Sequence, residues 1–212
     1  MGTYKDDTLL TPGNHAVLMI DHQYLQLLAL RSHTNEAVVS NSVFLAKAAK
    51  IFDVPTLFTT AFAERQALFQ ELQAVHPEQQ PIDRTGLNSW DDTRVVDWVK
   101  KTGKTKLVMA GLWTEVCLSM PVLSALAEDY EVYIITDASG GGSTEGHERG
   151  VQRMVQAGAR PLTTVAYVSE LQRDWGRPSA DEIAKLFAEY GGGFGQGLRW
   201  EWQLLGLKEG TR

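Results

Sequence analysis

Short, largely apolar runs recur along the chain, each bounded by a turn-forming or polar residue. They are Ala16-Val-Leu-Met-Ile20 before Asp21, Thr56-Leu-Phe-Thr-Thr60 after Pro55, Lys106-Leu-Val-Met-Ala110 before Gly111, Val132-Tyr-Ile-Ile-Thr136 before Asp137, and a weaker Pro161-Leu-Thr-Thr-Val165. A strand with one wet face would alternate apolar and polar side chains, so continuous runs predict strands covered on both faces, as in a parallel sheet. Between them, Ala37–Phe52, Val95–Thr102, Pro121–Glu128 and Glu145–Ala157 place apolar residues at helical spacing. Gly103 and Gly158 follow two of these segments, where a helix C-terminus favours a left-handed residue. Alternating strands and helices predict right-handed crossovers and a three-layer α/β/α, doubly wound, mostly parallel sheet.

Ligands of such sheets bind beyond the carboxyl ends of the strands, where strand order reverses. Asp21, the segment Gly111–Cys117 and Asp137 all follow predicted strands. No repeat or composition break divides residues 1–190, which read as one domain. Residues 191–212 read as a Gly/Trp-rich tail. Five glycines in the seven residues Gly191–Gly197 oppose regular structure, and Trp200, Trp202, Leu204, Leu205 and Leu207 predict docking on a neighbouring subunit.

Composition narrows the partners. A net charge of -6 over 212 residues gives no basis for binding nucleic acid, which requires phosphate neutralisation by Lys and Arg. The single cysteine, Cys117, excludes an internal disulfide and points to a reducing, cytoplasmic setting. Met1–Asn14, with Lys5, Asp6 and Asp7, lacks the apolar stretch of a signal peptide or membrane span. His15, His22, His33, His76 and His147 show no paired ligand spacing, so neither a metal nor another cofactor is expected. The run Gly140–Gly146 before His147 suggests a phosphate loop but lacks the Gly-Lys-Ser/Thr ending, and is read as a flexible turn into a helix.

The chemistry-bearing candidate is Gly111-Leu-Trp-Thr-Glu-Val-Cys117, which carries the thiol to the expected start of a helix. Backbone N–H groups and the helix dipole there lower a thiol's pKa and hold an oxyanion. Asp21, at the sheet edge, suits a general base, and equally suits a turn or helix cap. His22 competes for the base role; if the extended run continues through it, it points away from Asp21. An inert buried cysteine is as common as a reactive one.

These residues resemble the isochorismatase-like cysteine hydrolases, most closely the YcaC-type subgroup. The likeness runs over about residues 12–176 through Ala16–Gln23, Arg84-Thr-Gly-Leu-Asn-Ser-Trp-Asp91, Gly111–Cys117, Thr136-Asp-Ala-Ser-Gly140 and Glu170-Leu-Gln-Arg-Asp-Trp175. The resemblance implies a Rossmann-like fold and a triad of Asp21, Arg84 and Cys117 cleaving small amides or carbamoyl compounds through a thioester. Arginine stands where the family usually has lysine, and its pKa above about 12 confines it to holding charge; a surface pairing with Asp83, Asp91 or Asp92 is the structural alternative. A cis peptide just before Thr114 is implied, turning the N–H groups of Thr114 and Cys117 to one oxyanion. Asn88, Trp90 and Trp113 are candidate substrate contacts or, alternatively, loop and core anchors. Nicotinamidases of the family carry metal-binding histidines after the second strand, where this chain has Thr59-Thr-Ala-Phe-Ala63. The subgroup's homo-oligomers, rings or stacked rings such as octamers, set the expected assembly. An inactive binding or scaffold protein, and a vinyl-ether hydrolase with Cys117 as bystander, are the rival functions.

Overall fold

The computed structural model describes residues 8–211, so Lys5, Asp6 and Asp7 of the amino-terminal reading lie outside it. Six strands, β1 (His15–Ile20), β2 (Thr56–Ala61), β3 (Ile82–Arg84), β4 (Lys106–Gly111), β5 (Glu131–Ile135) and β6 (Arg160–Leu162), form one sheet in the order β3-β2-β1-β4-β5-β6. All their pairings are parallel. Nine helices connect or follow them among the described residues: α1 (Tyr24–Leu28), α2 (Asn35–Ile51), α3 (Gln70–Gln73), α4 (Thr93–Thr102), α5 (Ser119–Ala127), α6 (Thr144–Gln156), α7 (Thr164–Gln172), α8 (Ala180–Tyr190) and α9 (Gly192–Leu205).

Side-chain alternation along β1 divides the core into two layers. Val17 and Met19 pack with Phe44 and Leu45 of α2 and with Phe187 of α8. Ala16, Leu18 and Ile20 face the other way, toward Val95 and Val99 of α4 and Val122 of α5. Both faces of the central strands are therefore dry, the reason for their unbroken apolar runs. Chain reversal occurs where chemistry permits it: Thr34 caps α2 by accepting from Ala37 N–H, and Gly103 ends α4 at φ 67°.

The predicted strand at Pro161–Val165 is shorter, because Thr163 turns the chain and caps α7 by accepting from Ala166 N–H. Strand β3 escapes a pattern search because its three residues are too few to establish a period. Of the family-like motifs, Glu170–Trp175 ties down the amino-terminal segment: Leu10 N–H donates to Glu170 Oε2 at 2.7 Å, and Arg173 donates to Leu10 O at 3.0 Å. No helix of the described residues is long and apolar enough to cross a membrane.

The glycine-rich tail corrects the expectation of irregular structure. It forms α9, against the intrinsic preference of its glycines, because packing on α8 outweighs that preference. Trp202 is 3 % exposed against Ala184 and Ala188, and its indole N–H donates to Thr211 O at 2.7 Å. Gly195 lies so close to Phe187 O that any side chain there would collide with it. Trp200, Leu204 and Leu205 stay exposed on the outer side of the helix.

Trp202→Ala is expected to lower stability by about 3 kcal/mol, since it empties the joint between α8 and α9. A urea midpoint equal to that of the parent protein would show that α9 does not dock through this residue.

Candidate active site

Three carboxyl-terminal strand edges converge on one buried carboxylate. Asp21 directly follows β1, Arg84 ends β3, and Thr59 lies in β2 opposite Ile20. Arg84 Nη2 donates to Asp21 Oδ2 at 2.7 Å, Thr59 Oγ1 donates to Asp21 Oδ1 at 3.2 Å, and the Cys117 thiol also hydrogen-bonds to Asp21. Asp21, Arg84 and Cys117 are 0, 6 and 7 % exposed, so the trio is nearly closed to solvent. The alternative pairing of Arg84 with Asp83, Asp91 or Asp92 is thereby excluded; Arg94 is the residue that pairs with Asp92, at 2.6 Å. Arg84 also donates to Gly86 O, while its Nε is buried without a partner.

Local conformation aims these groups. Asp21 adopts φ 57°, a left-handed conformation that aspartate tolerates better than most residues, and so breaks the extended run. His22 is consequently not governed by strand alternation. It is fully buried, its Nε2 donates to Ala138 O at 2.9 Å, and its ring meets Phe69 edge-on. Burial lowers its pKa to about 4, which keeps the ring neutral, and its bonding ties it to the core instead of to the thiol.

Cys117 sits within a π-helical turn, Thr114–Leu118, that leads into α5. The wide turn is closed by Leu118 N–H to Trp113 O at 3.3 Å and by Ser119 Oγ to Thr114 O at 2.6 Å. Such turns are frequent at functional sites because they displace one side chain from the regular helical path. The cis peptide is Leu112–Trp113, one residue earlier than expected. The oxyanion assignment of Thr114 is corrected with it: Thr114 N–H donates to Gly140 O at 3.0 Å, and the backbone N–H beside the sulfur is that of Trp113.

The expectation of a lowered thiol pKa is also overturned. Burial and the Asp21 carboxylate push Cys117 up to about 12, with Arg84 and Trp113 N–H opposing the rise. Burial likewise raises Asp21, against the pull of Arg84, Cys117 and Thr59. The two groups form one coupled acid–base pair about the Cys117 proton. Moving that proton from sulfur to carboxylate changes no net charge beside Arg84.

The other candidate residues have internal roles. Asn88 Nδ2 donates to Asp91 Oδ1 at 2.9 Å and to Ser124 Oγ at 3.1 Å, which anchors its loop. Trp90 is 5 % exposed in the same apolar layer as Cys117 and donates to Glu128 Oε1 at 2.8 Å. The Trp113 indole donates to Gln26 O at 3.0 Å and packs with Leu27 and Leu30, so this residue borders the sulfur by its backbone. Asp137 accepts from Thr164 N–H and Oγ1, both at 2.8 Å, and anchors α7. An open depression of about 540 Å³ flanks Arg84 and is lined by Asp83, Asn88, Asp92 and Arg94, with neither Asp21 nor Cys117 in its wall. Among the described residues no group of three or more His, Cys, Asp or Glu is placed to hold a metal.

Two contacts were invisible in the linear pattern. Thr59 reaches Asp21 only through the register of β1 and β2, and Glu115 lies in the turn bearing Cys117 with its carboxylate against the Gly140–Gly146 loop.

Comparison with known proteins agrees with this architecture. The isochorismatase domain model matches residues 15–166. The probable hydrolase YcaC of Escherichia coli is 38 % identical over 184 residues, covering 85 % of this chain and 88 % of its own. A crystal structure of E. coli YcaC, described as an octameric hydrolase of unknown specificity, superposes with a TM-score of 0.88 at 35 % identity over 95 % of this chain and 99 % of that one. YcaC from Pseudomonas aeruginosa, solved with hexane-2,5-diol and covalent acrylamide, gives 0.87 at 32 % identity over 97 % and 100 %.

Asp21→Asn is expected to bring the ionisation of Cys117 down from about 12 toward the ordinary cysteine value of about 8.5, because the opposing carboxylate is removed while Arg84 remains. Thiolate absorbance followed against pH checks this; an unchanged midpoint would mean that the carboxylate does not face the sulfur.

Proposed function

The chain belongs to the isochorismatase-like hydrolase family, of the YcaC kind, and from that premise we propose that it is a cysteine hydrolase of small amides or carbamoyl compounds. The observation carrying this reading is that one buried carboxylate, Asp21, is bonded at once by the Cys117 thiol, Arg84 and Thr59. A buried cysteine kept only for packing needs no such partner.

In the proposed reaction the Cys117 proton passes to Asp21 as sulfur attacks the substrate carbonyl carbon. The carbonyl oxygen gains the negative charge and is met by the N–H groups of Trp113 and Cys117; a single donor of this kind is typically worth about 3 kcal/mol. Protonated Asp21 returns the proton to the leaving nitrogen as the C–N bond breaks, leaving a thioester. Water, deprotonated by Asp21, adds to the thioester carbon, and the released sulfur recovers the proton. Arg84 stays charged throughout, and its unpartnered Nε is a donor left for the substrate. The near closure of the trio favours compact substrates. The P. aeruginosa relative was solved with covalent acrylamide, a compound that a thiol captures by adding to its alkene, which supports a reactive group in this kind of site.

We further propose a cytoplasmic homo-oligomer. The octameric E. coli relative supports the assembly, and the exposed apolar side of α9 supplies a surface for it. The lone free cysteine favours the reducing compartment.

Screening small primary amides for ammonia release, with intact-mass detection of an acyl adduct on Cys117, tests the reaction. Cys117→Ala is expected to abolish both signals, and Arg84→Lys to retain turnover because positive charge at Asp21 is preserved. Ammonia release that survives Cys117→Ala would favour amide hydrolysis without a covalent intermediate on Cys117, and the absence of both adduct and ammonia an inactive binding protein or an ether hydrolase. For the assembly, Leu204→Glu with Trp200→Glu is expected to reduce the mass in solution, and an unchanged mass would remove α9 from the interface.

A further inference from the structure

We propose that Glu115 is a positioning residue for Cys117: its carboxylate, seated in the glycine loop that opens α6, holds the helical turn presenting the thiol to Asp21. This inference rests on Cys117 being the reacting group. The loop Gly140–Gly146 resembles an anion cradle in sequence, and in the fold the anion it encloses is the chain's own. Gly142 N–H donates to Glu115 Oε1 at 3.1 Å, while Glu115 Oε2 is buried with no hydrogen-bond partner. A Cβ on Gly141 would strike the same carboxyl group, and one on Gly146 would lie 2.6 Å from Oε1. The glycines thus clear the volume that the carboxylate fills. Placement near the start of α6, whose first turn Ser143 caps by accepting from Gly146 N–H at 2.9 Å, sets the negative charge against the positive end of the helix dipole.

The turn is gripped from a second side. A Cβ on Gly150 would stand 3.0 Å from Glu115 Cα and 3.1 Å from Glu115 N, so α6 presses its backbone directly on the turn. Thr114 Oγ1 adds a hydrogen bond to His147 Nδ1 at 2.9 Å. Glu115 is therefore the residue whose main chain belongs to the nucleophile turn and whose side chain belongs to α6. It never touches the reacting atoms; it acts through the position of sulfur and of Trp113 N–H. A displacement of about 1 Å in such geometry can cost about a hundredfold in rate.

Acrylamide is the probe, and the second-order rate of its addition to Cys117, followed by intact-mass spectrometry against pH, is the readout. Glu115→Ala is expected to slow labelling at least about tenfold across the pH range. Glu115→Gln, which keeps the shape and the acceptor for Gly142, is expected to stay within about threefold of the parent protein. Gly141→Ala keeps Glu115 but displaces its carboxyl group, and is expected to slow labelling as Glu115→Ala does; it also decides the matter if Glu115→Ala does not fold. Melting temperatures run alongside separate positioning from plain stability, because a purely structural Glu115 would lower them without slowing labelling of the folded protein. Parent-like labelling in folded Glu115→Ala, or in folded Gly141→Ala, overturns the inference while leaving the nucleophile intact. Failure of the parent protein to label at Cys117 overturns the proposed function and this inference together.

Discussion

The site is organised by the burial of one carboxylate. Asp21 is wholly excluded from water, and an isolated anion there would be costly, so every neighbouring element must supply it with a donor. Arg84 arrives from β3, Thr59 from β2 and Cys117 from the turn after β4. Removing one partner of a buried ion pair typically costs about 3–5 kcal/mol, a sizeable fraction of a domain's stability. The interaction that organises the chemistry therefore also ties the edge strand β3 to the centre of the sheet.

That arrangement gives the thiol an unusual electrostatic setting. A helix N-terminus beside a cysteine would favour the thiolate, yet burial and, after it, the adjacent Asp21 carboxylate outweigh that effect, and the thiol is pushed up to about 12. Burial raises the Asp21 carboxyl as well, and Arg84 opposes the rise of both groups.

The surroundings of the thiol show how much of the site is support. Thr114, the first residue of the turn that bears Cys117, uses its N–H on Gly140, and the Gly140–Gly146 loop closes around Glu115. Asn88 and the indoles of Trp90 and Trp113 have their polar hydrogens bonded to other parts of the chain. Polar groups singled out as candidate substrate contacts are here engaged in bonds within the chain.

Periodicity by itself determined the layered fold, because dry strands and amphipathic helices leave patterns several residues long, and it placed Asp21 and Cys117 at the productive edge of the sheet. The motif from Arg84 to Asp91 marked the third element, and the family resemblance, not periodicity, grouped Arg84 with Asp21 and Cys117. Tertiary structure decided how residues meet: Thr59 reaches Asp21 by strand register, Arg84 reaches it from a three-residue edge strand, and Glu115 meets the glycine loop through the close approach of α6. It also decided that a glycine-rich tail becomes a helix, because contact with α8 outweighs an unfavourable propensity. Local sequence encodes the conformation a segment prefers, whereas hydrogen bonds between residues such as Asp21 and Arg84, 63 positions apart, exist only after the sheet has formed.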